Sequence, residues 1–312
     1  MKFSSLVFHF FAQFGRGAFN IFGLFVIIIA CGLISCVVYT YTRILLPSVY
    51  PDRGVTYFFL LFIMCCISFS VWFNYLMSLS VSPGVIPPGF QRHVNMRNSN
   101  NDRVCHLCST VKPPRVHHCS LCGSCVMKMD HHCPWINNCV GFHNQRYFIL
   151  FLVSLLVGTL YCGSLFAWVL VIHPERYPHD LSKSSACFLT FVICIALHIA
   201  MWGFVYWNLL LVLTNQTSIE YQINWSRSDP SSSAMMSLGV PYRNPYDVGR
   251  WKNFLEVFGT QDDTLYLAQL NRRRIWRLKD VVVVVLWMVL PTFQAKGGDG
   301  LHFETWMESS YV

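Results

Sequence analysis

The sequence predicts an all-α polytopic membrane protein with four transmembrane helices and a small cysteine-rich domain between the second and third helices. Of its 312 residues, 54% are hydrophobic and only 12% are charged, about half the charged share of a soluble domain. Its 14 cysteines are unevenly distributed, since seven of them fall between residues 105 and 139. This composition excludes a soluble enzyme, a disordered protein and a disulfide-stapled secreted domain.

Four stretches without any charged residue predict the membrane spans. They contain 26, 38, 28 and 36 residues and lie at 17–42, 54–91, 147–174 and 184–219. A helix needs roughly 20 apolar residues to cross the hydrocarbon core, and backbone groups in lipid must be satisfied internally, so helices are expected. We expect the first run to be retained as an anchor rather than cleaved. The expected transmembrane helices are 18–41, 57–81, 147–172 and 186–213.

The distribution of Lys and Arg predicts the orientation of these helices. Four spans place residues 1–17, 82–146 and 214–312 on one face, which carries 19 Lys and Arg, whereas the other face carries four. The excess of positive charge lies on the cytosolic side of membrane proteins, so both termini and the middle loop are predicted to be cytosolic. The glycosylation sequons at Asn215 and Asn224 are then expected to be unused.

The polar side chains within the spans are few. His198 could act as a proton relay, but a lone histidine without an acidic partner is better explained by contact with a neighbouring helix or a small wet cavity. The absence of a ladder of charges across the spans argues against an ion-coupled transporter.

The cysteine cluster predicts a site that binds metal or catalyses a reaction, because the cytosol keeps thiols reduced. Zinc takes four tetrahedral Cys or His ligands, often in C-x(2–4)-C pairs. Two closed sites need eight ligands, and nine good candidates are present, which leaves one cysteine over. The candidates are Cys105, Cys108, His118, Cys119, Cys122, Cys125, His132, Cys133 and Cys139.

The residues that precede Cys133 favour it as the spare cysteine. It follows Asp130 and His131 closely, and a thiol becomes a useful nucleophile when a neighbouring base or cation lowers its pKa. Here His131 would be the base and Asp130 the acid that orients it, as in other covalent enzymes. Spacing alone leaves an alternative open, in which Cys133 is an ordinary ligand and Asp130 a solvated charge.

The loop resembles the DHHC protein S-acyltransferases, or palmitoyltransferases. The resemblance covers about residues 15–260, and within 105–148 every position of the family pattern is filled. The family's Thr-Thr-x-Glu motif has Ser218 in place of its second Thr, and a C-terminal asparagine motif lies at 244–259. The loop pattern comprises C-x2-C at 105–108, Lys112-Pro113-x-Arg115-x2-His118-Cys119, C-x2-C at 122–125, Asp130-His131-His132-Cys133-Pro134-Trp135, Asn137-Asn138-Cys139, Gly141, Asn144 and Phe148.

The resemblance implies two structural zinc ions, so that the cytosolic loop is a zinc-bound cysteine-rich domain. One ion would be held by Cys105, Cys108, His118 and Cys125, and the other by Cys119, Cys122, His132 and Cys139. Cys133, His131 and Asp130 would then be catalytic.

The implied activity is protein-cysteine S-palmitoylation. Cys133 would attack the thioester of palmitoyl-CoA, or of another long-chain acyl-CoA, and then pass the chain to a cysteine of a cytosolic or membrane protein. Ser218 keeps a hydroxyl able to hydrogen-bond Asp130, so activity is expected to survive the departure from threonine. The implied supporting residues are Thr217, Ser218, Glu220 and Asn253, with Trp135 as a lid near the thioester.

Three basic side chains in the loop have two interpretations. Lys112, Arg115 and His117 could face the phosphates of CoA, or they could be exposed loop charges. The sequence gives no support for a nucleic-acid partner, because the basic excess lies on the cytosolic face and the ten Lys and Arg of the tail are matched by ten Asp and Glu.

Two other functions use the same residues. A catalytically silent scaffold or trafficking protein would not need an intact Asp-His-His-Cys run. A zinc-based membrane adaptor such as a RING-like ubiquitin ligase would need a final C-x-x-C pair, whereas five residues separate Cys133 from Cys139.

The tail contains a basic stretch, an apolar run and a C-terminal motif. The basic residues at 272–279 could touch anionic lipid, and the apolar run at 281–290 is too short to span. Ser310, Tyr311 and Val312 resemble a ligand for PDZ domains. The family resemblance implies the endomembrane system, with the Golgi or endoplasmic reticulum favoured over the plasma membrane.

Overall fold

The structure is a computed structural model that describes residues 2–86, 103–228, 243–259 and 298–305, with side chains from residue 17 onward. The chain divides into two compact units. The helical unit comprises Phe22–Met77 and Tyr147–Asn208, and the cysteine-rich unit comprises Met1–Ile21, Ser78–Arg146 and Leu209–Val312. The basic stretch at 272–279, the apolar run at 281–290 and the C-terminal Ser310, Tyr311 and Val312 lie outside the described residues.

Four helices are long and apolar enough to cross a membrane, which confirms the expected number of spans and makes the chain an integral membrane protein. The first begins as α1 and continues through a π-helical turn, Thr40–Leu45, into a short α2. The bounds of the helices are Lys2–Tyr39 for α1, Leu46–Val49 for α2, Val55–Ser80 for α3, Gln145–Ile172 for α4 and Leu181–Leu213 for α5.

The first turn of α5 lies before the apolar run that predicts it. The helix begins at Leu181, whereas hydropathy places the span from residue 186. Asp180 accounts for the difference, because its carboxylate accepts the backbone amide of Lys183 at 3.1 Å. A carboxylate at this position satisfies an amide of the first helical turn that has no partner within the helix.

The helical unit has a buried core and an apolar exterior. Tyr41 is fully buried and donates a hydrogen bond to Tyr161, whose hydroxyl donates to the carbonyl of Leu60 at 2.7 Å. Nδ1 of His198 lies 3.2 Å from the hydroxyl of Thr159 on α4, so this histidine contacts a neighbouring helix. Large apolar side chains cover the outer surface, as lipid-facing helices require; among them are Phe58, Phe62, Leu160, Ile199 and Trp202.

Six short strands add a β component that the all-α prediction omitted. They form three antiparallel hairpins, which are too short and too rich in Cys and His to show the alternating hydrophobicity of ordinary strands. The hairpins are β1 (Val104–Cys105) with β2 (Thr110–Val111), β3 (His117–Cys119) with β4 (Ser124–Val126), and β5 (His131–Cys133) with β6 (Asn138–Val140).

Two further helices complete the described part of the cysteine-rich unit. They are α6, Ser218–Ser228, and α7, Arg250–Phe258. Asn253 is fully buried, and its side-chain amide donates to the carbonyl of Leu213 and to the carboxylate of Asp247. The supporting residue Asn253 therefore fixes α7 to the end of α5, where the last carbonyls of a helix lack partners of their own.

Candidate active site and metal centres

The eight expected metal ligands form two separate groups in the structure. Within each group the ligand atoms all lie within 4.8 Å of one another. The members are Cys105, Cys108, His118 and Cys125 in the first group, and Cys119, Cys122, His132 and Cys139 in the second.

Both groups have the dimensions of a tetrahedral zinc site. Bonds of about 2.3 Å to sulfur and about 2.0 Å to nitrogen, at a tetrahedral angle, place sulfur and nitrogen about 3.6 Å apart. In the first group Nδ1 of His118 lies 3.6, 3.2 and 3.9 Å from its three sulfurs. In the second, Nδ1 of His132 lies 3.7, 3.3 and 3.7 Å from its three. The residues therefore fit zinc without rearrangement.

The repeated hairpins explain why one cysteine is left over. The second and third hairpins have the same register, with His118 opposite Cys125 and His132 opposite Cys139. In each, that cross-strand pair completes the metal group begun by the preceding hairpin. The next cysteine of the second hairpin, Cys119, begins the group that the third hairpin completes. Cys133 holds the equivalent position in the third hairpin, and no fourth hairpin follows among the described residues.

Cys133 lies beside an acid–histidine pair. It is 7% exposed, and Asp130 is 3% exposed. Oδ2 of Asp130 is 2.6 Å from Nδ1 of His131, which leaves the other ring nitrogen of His131 to serve the Cys133 thiol. All seven loop cysteines are described, and Cys133 alone belongs to neither metal group. The arrangement is that of a nucleophile, a base and the acid that orients the base.

The contact between Asp130 and His131 shifts the pKa values of both residues toward their charged forms. Burial lowers the pKa of His131, but hydrogen bonds to Asp130 and Cys133 outweigh it and raise the pKa to about 9. Burial raises the pKa of Asp130, yet hydrogen bonds from His131 and Ser218 hold it below the usual range. These shifts favour an imidazolium on His131 paired with the carboxylate of Asp130.

The first turn of α6 supplies the second contact to Asp130. The backbone amide of Ser218 donates to Oδ1 at 2.5 Å, and the side chain of Ser218 also hydrogen-bonds to Asp130, as the sequence had suggested. The turn is a capping box, because Glu220 accepts the amide of Thr217 at 2.9 Å and the hydroxyl of Thr217 accepts the amide of Glu220 at 3.2 Å. The Thr217-Ser218-Ile219-Glu220 motif thus places the N-terminus of α6 next to Asp130.

Arg115 occupies a position that the sequence did not suggest. Its side chain is fully buried and makes two hydrogen bonds to Glu220, at 2.7 and 2.9 Å. The prediction that Arg115 faces the phosphates of CoA is wrong for this structure, because its guanidinium faces a buried carboxylate. Lys112 and His117 are half-buried, and their contact with CoA stays a prediction, as does the lid function of Trp135, which is 51% exposed.

Asn215 and Glu256 complete this buried charge network. Arg115 donates to the side-chain oxygen of Asn215 at 3.0 Å and Lys128 donates to Glu256 at 2.6 Å. Asn215 in turn donates to Glu256 and to the carbonyl of Tyr246. Because Asn215 is only 3% exposed, its sequon presents no accessible amide to a glycosylation enzyme.

Two aromatic rings lie next to Arg115; Tyr246 belongs to the C-terminal motif at 244–259, whereas Phe303 had no signal in the sequence. Tyr246 and Phe303 lie with their ring centres 4.4 and 4.7 Å from the guanidinium carbon. Neither residue belongs to the loop, and no spacing or periodicity relates either of them to Arg115.

Comparisons with known proteins agree with this geometry. The family model described as DHHC palmitoyltransferase matches residues 98–225. The chain is similar to probable protein S-acyltransferase 13 of Arabidopsis thaliana, with 30% identity over 80% of this chain and 85% of the relative. It is 31% identical to probable protein S-acyltransferase 16 of the same plant, over 60% of this chain and 68% of the relative. It is also 29% identical to palmitoyltransferase ZDHHC16 of Mus musculus, over 59% and 53%. The chain therefore belongs to the DHHC palmitoyltransferase family.

Proposed function

We propose that this protein is a protein S-acyltransferase that carries a long acyl chain, such as palmitate, on Cys133. The donor is a long-chain acyl-CoA and the acceptor is a cysteine thiol of another protein. The observation that carries the proposal is the position of Cys133, which lies outside both metal groups and beside the Asp130–His131 pair.

The reaction consists of two thioester exchanges. In the first, the Cys133 thiolate forms a bond to the acyl carbonyl carbon, the bond from that carbon to the CoA sulfur breaks, and His131 protonates the departing CoA thiolate. In the second, His131 takes the proton of the acceptor thiol, whose sulfur attacks the acyl group and releases Cys133 as a thiolate. This is ping-pong catalysis through a covalent intermediate.

Asp130 supports both exchanges without reacting. Its buried carboxylate fixes the orientation of His131 through Nδ1 and stabilises the imidazolium whenever His131 holds the extra proton. Two zinc ions, held by the two metal groups, would supply structural cross-links that keep the three hairpins together. Cys133, His131 and Asp130 are the side chains of this protein that act in the two exchanges.

We further propose that the cysteine-rich unit faces the cytosol, on the basis of the asymmetry in Lys and Arg. Cytosolic cysteines of soluble or membrane proteins are then the acceptors, and endomembranes are the proposed location. Lys112 and His117 are the proposed contacts to the CoA phosphates, and Trp135 is the proposed cover of the thioester.

Labelling of the purified protein in detergent with an alkyne analogue of palmitoyl-CoA tests the function. The wild type should acquire a label that hydroxylamine removes, and Cys133→Ser should acquire none while its zinc content stays near that of the wild type. Cys36→Ser is the matched control, because Cys36 is exposed and lies outside the loop.

Three results would contradict the proposal in different ways. An unlabelled wild type would mean a scaffold rather than an enzyme. A Cys133→Ser variant that loses zinc would mean that Cys133 is a ligand. A Cys133→Ser variant that keeps a label of wild-type intensity would place the acyl group on another residue.

A further inference from the structure

Phe303 lies against the buried guanidinium of Arg115 in the cysteine-rich unit. It lies in the described segment 298–305, beyond the residues that the family model matches. Its ring meets that of Tyr246 edge-on at 6.1 Å between centres, and both rings lie within 5 Å of the guanidinium carbon of Arg115. The two rings therefore form an aromatic corner over a buried cation.

The segment is held on the unit by contacts on both sides of Phe303. Leu301 packs against the buried cluster that contains Ile86 and Val116, and Lys252 donates to Glu304 at 2.7 Å. A Cβ atom on Gly300 would come within 2.9 Å of the ring of Phe142, so the backbone passes too closely there for a side chain. The segment thus has its own docking site, in which Gly300 is required.

A continuous series of contacts leads from Phe303 to the catalytic carboxylate. Arg115 holds Glu220 with two hydrogen bonds. Glu220 closes the capping box of α6 by accepting the amide of Thr217, and the next amide, that of Ser218, donates to Asp130. The direction of this amide is set by the first turn of α6, and the position of that turn depends on where Arg115 holds Glu220.

We propose that Phe303 is a positioning residue for the acylation of Cys133, acting through Arg115, Glu220 and the first turn of α6. The proposal rests on the proposed function. A cation over an aromatic ring is attracted to the ring face, and the attraction is strongest when both are removed from water, as Arg115 is. Phe303 restricts the guanidinium to the orientation that meets Glu220 in two places.

The experiment separates attraction to the ring from simple packing. Phe303→Leu keeps an apolar side chain in the docking site but removes the ring face, whereas Phe303→Trp restores one. The full-length variants are purified in detergent, and the rate of Cys133 acylation is measured over a range of palmitoyl-CoA concentrations. Zinc content is measured on the same samples.

We expect Phe303→Leu to lower the maximal acylation rate by about tenfold, the fold-change expected from a partly lost cation–π contact. The palmitoyl-CoA concentration at half-maximal rate should stay within about twofold of wild type, since Phe303 acts on the chemical step rather than on binding. Phe303→Trp should recover most of the rate, and zinc content should not change.

A control on the same segment leaves its docking contacts intact. His302→Gln removes the exposed ion pair with Asp299 but keeps Leu301, Phe303 and Glu304, so it should retain the wild-type rate. In an Arg115→Gln background the Phe303→Leu change should have no further effect, because residues that act in series are not additive.

The inference is overturned if Phe303→Leu acylates at the wild-type rate, if His302→Gln is equally slow, or if only the half-maximal concentration changes. These outcomes all require a wild type that is labelled, and they leave the proposed function standing. A wild type that acquires no label refutes the proposed function, and the inference falls with it.

Discussion

The backbone amide of Ser218 donates a hydrogen bond to the carboxylate of Asp130, 2.5 Å away. Amides at the start of a helix have no partner within it and attract negative charge. The carboxylate that orients His131 is therefore held by the backbone of α6. A threonine or a serine at this position leaves the amide contact intact, so we expect the departure from the family's Thr-Thr-x-Glu pattern to be compatible with activity.

Replacement of Ser218 by proline should remove this contact while leaving the helix in place. Ser218 is the first residue of α6, a position where proline is well accepted because its missing amide is not needed by the helix. A hydrogen bond to a charged group contributes about 1.5–3 kcal/mol, so we expect the acylation rate of Cys133 to fall by about 10- to 100-fold. Initial rates with palmitoyl-CoA provide the measurement.

Ser218→Ala is the control for that variant, because it removes the hydroxyl and keeps the amide. Its acylation rate should stay much closer to that of the wild type. An alanine variant as slow as the proline variant would show that the hydroxyl, rather than the backbone, makes the important contact.

Removal of the Glu220 charge should destabilise the cysteine-rich unit. In Glu220→Gln the buried guanidinium of Arg115 would keep Glu256, 3.7 Å away, as its one acidic partner among the described residues. Removal of one partner from a buried ion pair costs about 3–5 kcal/mol, because the other charge is left uncompensated. We therefore expect a clearly lower unfolding temperature for the full-length protein in detergent.

Glu175→Gln provides the comparison for the Glu220 variant. Glu175 also pairs with basic groups, His173 and Arg176, but it is exposed, and exposed pairs contribute little. Its unfolding temperature should match that of the wild type. Equal shifts in the two glutamate variants would rule out a structural role for the buried pair.

The two metal groups should differ in how fast they release zinc to a chelator. Cys122 of the second group is exposed, whereas Cys105 and Cys125 of the first group are buried. A chelator can approach an exposed thiolate directly, so release followed with a metal-sensitive dye should show two phases. Cys122→Ser should abolish the faster phase, and Cys108→Ser should diminish the slower one. A single phase in the wild type, or a fast phase that survives in Cys122→Ser, would contradict this order.

The parts of the fold that depend on local pattern were predictable from the sequence. The four spans follow from runs without charge, and the metal groups follow from the spacing of Cys and His together with the family resemblance. The count of nine candidates for eight ligand positions left one cysteine over, and the preceding Asp130 and His131 favoured Cys133 as that cysteine. The hairpins add a physical reason, since Cys133 stands where a further metal group would begin.

The parts that depend on contacts between distant residues were not predictable. Arg115 forms an ion pair with Glu220, which lies 105 residues further along the chain. The sequence around a basic loop residue does not indicate that the residue pairs with a buried carboxylate. Phe303 is more distant still from Arg115 and lies outside the family match. α5 begins before the predicted span for a local reason, because hydropathy marks the apolar run and not the carboxylate of Asp180 that caps the helix.

Gly141 should tolerate no side chain. An added Cβ would lie 2.7 Å from the carbonyl oxygen of Pro83, 2.8 Å from a methyl of Val126 and 3.0 Å from the carbonyl oxygen of Met127. Both oxygens are held in place, because Met127 accepts the amide of Phe142 and Pro83 accepts that of His143. Since backbone oxygens cannot move aside as a flexible side chain can, Gly141→Ala should destabilise the protein by about 1–3 kcal/mol, the usual cost of overpacking.

Gly203→Ala serves as the matched control, since an added Cβ at Gly203 would meet nothing within 4 Å. Gly203 lies within α5, where alanine is favoured over glycine by about 0.5–1 kcal/mol in a helix interior. The unfolding temperature in detergent should therefore fall for Gly141→Ala and stay level or rise for Gly203→Ala. If Gly141→Ala unfolds at the wild-type temperature with its zinc retained, the close approach of these backbone segments is not a constraint on the fold.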